Sequence, residues 1–172
     1  MPIDYNADGL YDLLVPNTGG TWSVILSTGS GFSSPSNTGA SVTATGKGLN
    51  AVATDVDGDG YEDLVWMDLY GYGGGDTIRY RLRDPGGAFS STVYTLVAAK
   101  PADTMIVPGL AAAPAGSGRV TDFNGDKRGD VAFRVRVRLY NPGLGTWKYY
   151  YYVHAVCSGA WLFGVNTPQA TS

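Results

Sequence analysis

"DVDGDGYEDLV", residues 55–65, puts four aspartates and a glutamate within nine positions, directly before an apolar run. Carboxylates this close repel one another, so something has to compensate them. The stretch is one of three. "DYNADGLYDLL" (4–14) and "DFNGDKRGDVAF" (122–133) share its form, and all reduce to D-x-[D/N]-x-D-x-x-x-D followed by two apolar residues. Oxygens at positions 1, 3 and 5, a backbone carbonyl at 7 and a carboxylate at 9 suit a hard cation. Calcium accepts roughly six to eight oxygens at about 2.3–2.6 Å in irregular geometry. Position 6 is Gly9 in the first loop and Gly60 in the second, which permits a sharp turn; the third loop has Lys127 there. A single match would read as an acidic surface turn, but three at one spacing read as calcium loops. An EF-hand is excluded. It needs a glutamate at position 12 and flanking helices, whereas position 12 holds Val15, Trp66 and Phe133 and the residues after position 9 read as strand.

The 172 residues suffice for one domain, and 25 glycines with 12 tyrosines and 4 tryptophans among β-branched runs indicate an all-β class. No apolar stretch is long enough to span a bilayer. "MPIDYN" carries neither the basic nor the apolar segment of a signal peptide. The lone Cys157 excludes an intrachain disulfide and reads as a small core residue. His154, the only histidine, excludes a multi-histidine zinc site, and no G-x-S-x-G surrounds a nucleophile. "GYGGGD" (71–76) lacks the Gly-Lys-Ser/Thr ending of a phosphate loop. No enzyme is expected. Ten of the fifteen acidic residues are loop aspartates, and one divalent cation per loop would turn the net charge from −3 to +3.

The loops begin at residues 4, 55 and 122 and divide a single domain, 1–172, into repeat units of approximately 1–49, 50–117 and 118–172. In the first, "DLLVP" and "TWSVILS" flank the turn "NTGG", and "NAVATD" (50–55) is the strand entering the second loop. In the third, "DVAFRVRVRLYN" and "GTWKYYYYVHAV" form a long hairpin about "PGLG". The Ala/Pro/Gly-rich stretch 98–118 reads as an insertion or long connection, with a short apolar segment, "MIVPGLAA", packing on the core. The tail "GVNTPQATS" is expected to fray. Units of about four antiparallel strands suggest blades of a β-propeller, about three in number.

At this point the residues meet a family. The three loops resemble the calcium loops of FG-GAP/VCBS repeats, the blades of integrin α-subunit propellers. The wording "DGLYDLLVPNTGGTWSVILSTGSGFSSP" is similar to repeats in large secreted bacterial proteins: toxin-complex B components, Salmonella virulence plasmid B-like proteins and Rhs-type proteins. The resemblance covers most of residues 3–95 and 119–140. It implies about three Ca2+ sites. Their ligands would be Asp4, Asn6, Asp8, the Leu10 carbonyl and Asp12; Asp55, Asp57, Asp59, the Tyr61 carbonyl and Asp63; and Asp122, Asn124, Asp126, the Arg128 carbonyl and Asp130. It further implies a structural or protein-interaction module of a secreted or cell-surface bacterial protein. The alternatives are a carbohydrate-binding lectin, since some fungal propeller lectins use similar repeats, and a non-catalytic fragment of a secreted toxin. Such propellers typically close with about seven blades. Three loops, the first without a strand before it, therefore suggest a piece of a longer chain or closure by further copies.

Two strands alternate arginines with apolar residues: Arg79, Arg81 and Arg83, and Arg134, Arg136 and Arg138, half of the twelve basic residues. Each trio shares a strand face. A solvated face is one reading, and a basic patch for an anionic glycan or a partner protein is the sharper one. Nucleic acid is not expected, given the overall acidity. Trp147 and Tyr149 to Tyr152 add an aromatic cluster that divides between packing and exposure.

Overall fold

The computed structural model describes residues 1–42, 51–70, 75–97, 104–111, 122, 125–157 and 160–166. Among them there is no helix, and twelve strands form three four-stranded sheets. The first contains β1 (Pro2–Ile3), β2 (Asp12–Pro16), β3 (Thr21–Ile25) and β4 (Ser36–Ser41); the second β5 (Ala51–Thr54), β6 (Asp63–Asp68), β7 (Thr77–Arg81) and β8 (Tyr94–Val97); the third β9 (Thr104–Ala111), β10 (Val131–Asn141), β11 (Thr146–Cys157) and β12 (Ala160–Asn166). Each is an antiparallel meander in chain order. The sheets do not close into a barrel; they have the form of propeller blades, as the strand and turn pattern implies.

Turn chemistry sets the hairpins. Between β2 and β3 the Asn17 N–H donates to the Thr21 carbonyl at 2.8 Å. Gly19 and Gly20 take the left-handed conformation, at φ of 92° and 83°, that residues with a Cβ avoid.

Two expectations change. The first acidic loop does have a strand before it: β1 pairs with β2 through Pro2↔Leu13 and Ile3↔Asp12. It is only two residues long, too short to leave a period-two signal. Within 98–118, Thr104–Ala111 is a full strand, the first of the third sheet, with Ile106 fully buried. Its pairing with β10 shifts register between Phe133 and Arg134, opposite Pro108 and Gly109. A bulge tolerates a proline, which has no N–H to give the ladder. The rest of that stretch and the tail beyond Asn166 lie outside the described residues.

Two cores lie between the sheets. The first joins Ile3, Leu14, Trp22 and Val24 of the first sheet to Ala53, Leu64, Trp66 and Phe89 of the second unit. The other joins Val65, Met67 and Ile78 of the second sheet to Ile106, Val131, Phe133 and Val135 of the third. Consecutive residues of β6 therefore enter opposite cores, as strand alternation requires. All six of its residues are buried, which is why "DLVWMD" reads as a nearly continuous apolar run.

Position-matched residues differ at the first sheet. Leu13 occupies the place of Leu64 and is 37% exposed, against 0%. Phe32 and Phe89 make equivalent bridges, to Ser27 and to Arg83. Phe89 is buried and its ring lies 5.9 Å from that of Tyr5, whereas Phe32 is exposed. Among the described residues no sheet covers the outer face of the first one.

Candidate metal centre

The three loops fold alike because the position-1 aspartate organises each one. Asp4 accepts the N–H groups of Asp8 and Gly9, both at 3.1 Å. Asp55 accepts those of Gly58, Asp59 and Gly60 at 2.7, 3.1 and 2.9 Å. Asp122 accepts those of Gly125, Asp126 and Lys127 at 2.5, 3.0 and 2.9 Å. At position 5, Asp8, Asp59 and Asp126 each accept the N–H two residues on, from Leu10, Tyr61 and Arg128, at 2.8, 2.9 and 2.9 Å. Lys127 takes φ of 69° where Gly9 and Gly60 take 83° and 91°. The third loop therefore turns like the others, although a lysine there is strained.

The position-9 aspartate pins the loop to its sheet. Asp12 is fully buried and accepts the N–H of Tyr5 at 2.8 Å and of Ser27 at 2.6 Å. Asp63, likewise buried, accepts those of Val56 at 2.8 Å and Arg83 at 2.9 Å. Asp130 is buried at the same position in the third loop. Asn124 lies outside the described residues.

Asp55, Asp57 and Asp63 come together, with one carboxylate oxygen of each within 4.8 Å of the others. Among the described residues this is the one such cluster. The first and third loops have Asn6 and Asn124 at position 3, so three carboxylates cannot meet there at positions 1, 3 and 9. Asp59 stands outside the cluster, holding Tyr61. Burial pushes the Asp63 carboxyl up to about 7, against the hydrogen bonds from Arg83 and Val56 and with added repulsion from Asp57 and Asp55. Burial, then the neighbouring Asp59 charge, also raises Asp57. An all-oxygen set with this much unbalanced negative charge fits a hard divalent cation.

Neighbouring loops touch. Glu62, at position 8 of the second loop, accepts the N–H of Asp4, at position 1 of the first, at 2.9 Å. Gly129, at position 8 of the third, donates its N–H to the carbonyl of Asp55, at position 1 of the second, at 2.5 Å. Neither residue stands out in the sequence.

The first arginine trio does not form a solvated stripe. Arg79 pairs with the buried Asp68 at 3.0 Å. Arg81 is buried and donates to the carbonyls of Ser41, Ser90 and Ser91. Arg83 is buried between the first two loops, its guanidinium 5.5 Å from the Tyr5 ring centre and 4.9 Å from that of Tyr61, and it donates to the Tyr5 carbonyl. The face these residues share looks toward the first sheet, and Arg81 and Arg83, through Ser41 and Tyr5, tie the first two units together. Arg134, Arg136 and Arg138 lie on the face of β10 opposite the buried Val131, Phe133 and Val135.

No curated protein matches this chain. Residues 4–66, which span the first unit, the second acidic loop and the start of β6, match the FG-GAP-like repeat family, so the chain is similar in sequence to that family of β-rich repeats.

Proposed function

We propose that the acidic loops hold calcium and that the chain is a calcium-stabilised propeller segment, a structural and interaction module of a secreted or cell-surface protein. The observation that carries this reading is the convergence of Asp55, Asp57 and Asp63 within a loop that has two position-matched counterparts. In the second loop the ion would be held by these three with Asp59 and the Tyr61 carbonyl. In the first it would be held by Asp4, Asn6, Asp8, Leu10 and Asp12, and in the third by Asp122, Asn124, Asp126, Arg128 and Asp130. Bound calcium supplies positive charge that offsets carboxylate repulsion at the corner between two strands, and so couples binding to folding. The protein's own part is to fix the loop by backbone hydrogen bonds and bury its last carboxylate against the sheet. FG-GAP-like repeats are typically structural modules without catalysis, found in extracellular and surface proteins. Such a setting suits weak sites, which fill at about millimolar calcium. In this reading the chain belongs to a large secreted protein, a proposal supported by its likeness to bacterial toxin-complex and Rhs-type repeats.

The test is a thermal melt in calcium and in excess chelator, with calorimetric titration of calcium into the chelated chain. A calcium-dependent rise in Tm that Asp57→Asn reduces supports the reading. Identical melts would leave three acidic turns and overturn it.

A further inference from the structure

The hairpin of β10 and β11 is longer than its sheet. Pairing with β9 reaches Val137, and pairing with β12 begins at Tyr152. Beyond these rungs, among the described residues, only Arg138↔Tyr149, Leu139↔Lys148, Tyr140↔Trp147 and Asn141↔Thr146 continue. A two-stranded arm about 13 Å long therefore projects from the third sheet. The arm carries four exposed large apolar side chains: Leu139, Tyr140, Leu144 and Trp147.

One face of the arm is ordered. Strand alternation and cross-strand pairing put Arg136, Arg138 and Tyr140 together with Trp147, Tyr149 and Tyr151. The Arg138 guanidinium lies 4.6 Å from the Trp147 ring centre and that of Arg136 5.3 Å from the Tyr149 ring centre. Arg136 is further anchored by donating to Met105 Sδ at 2.9 Å. Guanidinium groups recur about every 7 Å along such a strand. Held over rings, they have already lost part of their rotamer freedom, which lowers the cost of using them in binding.

The charge is one-sided. All fifteen acidic residues lie at or before Asp130, while the chain after it carries Arg134, Arg136, Arg138 and Lys148 and no carboxylate. The twelve tyrosines include five on this hairpin, Tyr140 and Tyr149 to Tyr152. An elongated, cationic and aromatic strip suits a linear anion rather than a small molecule. Arg forks match carboxylate and sulfate geometry, and ring faces suit the C–H faces of pyranose sugars. The strip presents no Asn, Gln, Ser or Thr between its arginines and rings to read base edges, which disfavours sequence-reading contact with a nucleic acid.

We propose that this arm is a docking site for a linear acidic polysaccharide, bearing uronate or sulfate groups, contacted by Arg136, Arg138 and the rings of Trp147 and Tyr149. The proposal stands apart from calcium binding, because the arm lies outside the acidic loops.

The experiment is surface binding of the full chain to dextran sulfate and polygalacturonate, in calcium and in chelator, with neutral dextran, polyaspartate and polyadenylate as competitors. The expected result is salt-sensitive binding to either acidic polymer, with none to dextran. It should weaken about tenfold in Arg138→Gln and by a similar factor in Trp147→Ala, with Tm unchanged because these rungs lie beyond the four-stranded part. Wild-type binding by both Arg138→Gln and Trp147→Ala would overturn the proposal. So would competition by polyaspartate or polyadenylate at equal charge, or binding lost in chelator while the strand signal in circular dichroism persists, which would put the polymer on loop-bound ions.

Discussion

Glu62 accepts the backbone N–H of Asp4 at 2.9 Å, so the second acidic loop is hydrogen-bonded to the first at its leading aspartate. Glu62 is 2% exposed. Removing its carboxylate leaves the half-buried Asp4 N–H without that acceptor and loosens the start of the first loop. Glu62→Ala is expected to lower stability by about 1–3 kcal/mol. It should weaken calcium binding at the first loop more than at the second, which calorimetric titration against Asp4→Asn and Asp57→Asn backgrounds resolves.

Gly129 makes the corresponding link from the third loop to the second. A Cβ there would run into Thr54 Oγ1 and the Asp55 carbonyl, and neither backbone can retreat without breaking the Gly129 N–H bond to Asp55. Gly129→Ala is expected to cost about 1–3 kcal/mol, in the manner of overpacking. Chemical denaturation measures it; a change below about 0.5 kcal/mol would show that the loops are not locked together.

Asp63 sets a pH dependence with a definite sign. Its carboxyl is raised by burial from the ordinary 3.8 to about 7. Between those values the metal-free folded chain keeps a proton that the unfolded chain has released, so its stability falls as pH rises from about 4 to 7 and then levels. A bound cation favours the ionised carboxylate and opposes this trend. The chelated chain is thus expected to melt higher at pH 5 than at pH 8. The rise in Tm on adding calcium should be larger at pH 8. Melts at the two pH values, with and without calcium, check both statements.

The unequal partners Phe89 and Phe32 separate position from burial. Phe89 packs into the core between the first two sheets, and Phe32 is 59% exposed. Phe89→Ala is expected to cost about 3–5 kcal/mol. Phe32→Ala, at the matching place in the first unit, should stay within about 0.5 kcal/mol. Equal losses would mean that the outer face of the first sheet is covered in solution, and solution mass measured at several concentrations would then show whether a second copy covers it.

The sequence by itself determined the local features. Spacing of Asp, Asn and Gly located the three loops, and strand periodicity located the long β10–β11 hairpin. Short-range rules suffice where hydrogen bonds run within one loop, as from Gly60 to Asp55, or between adjacent strands. What the tertiary structure decided is everything that crosses from one unit to the next. Strand alternation put Arg79, Arg81 and Arg83 on one face, but only the stacking of the second sheet on the first buried Arg81 and Arg83 and set Arg83 between Tyr5 and Tyr61. The strand hidden in 104–111 carries Pro108 and Gly109, which obscure it in the sequence, and its pairing depends on a β10 that begins twenty residues later in the chain. The gathering of Asp55, Asp57 and Asp63, with Asp59 left outside, depends on where β6 and the end of β7 hold the Asp63 carboxylate. Contacts between units join residues far apart in the chain, such as Asp4 with Glu62, and no local periodicity records them.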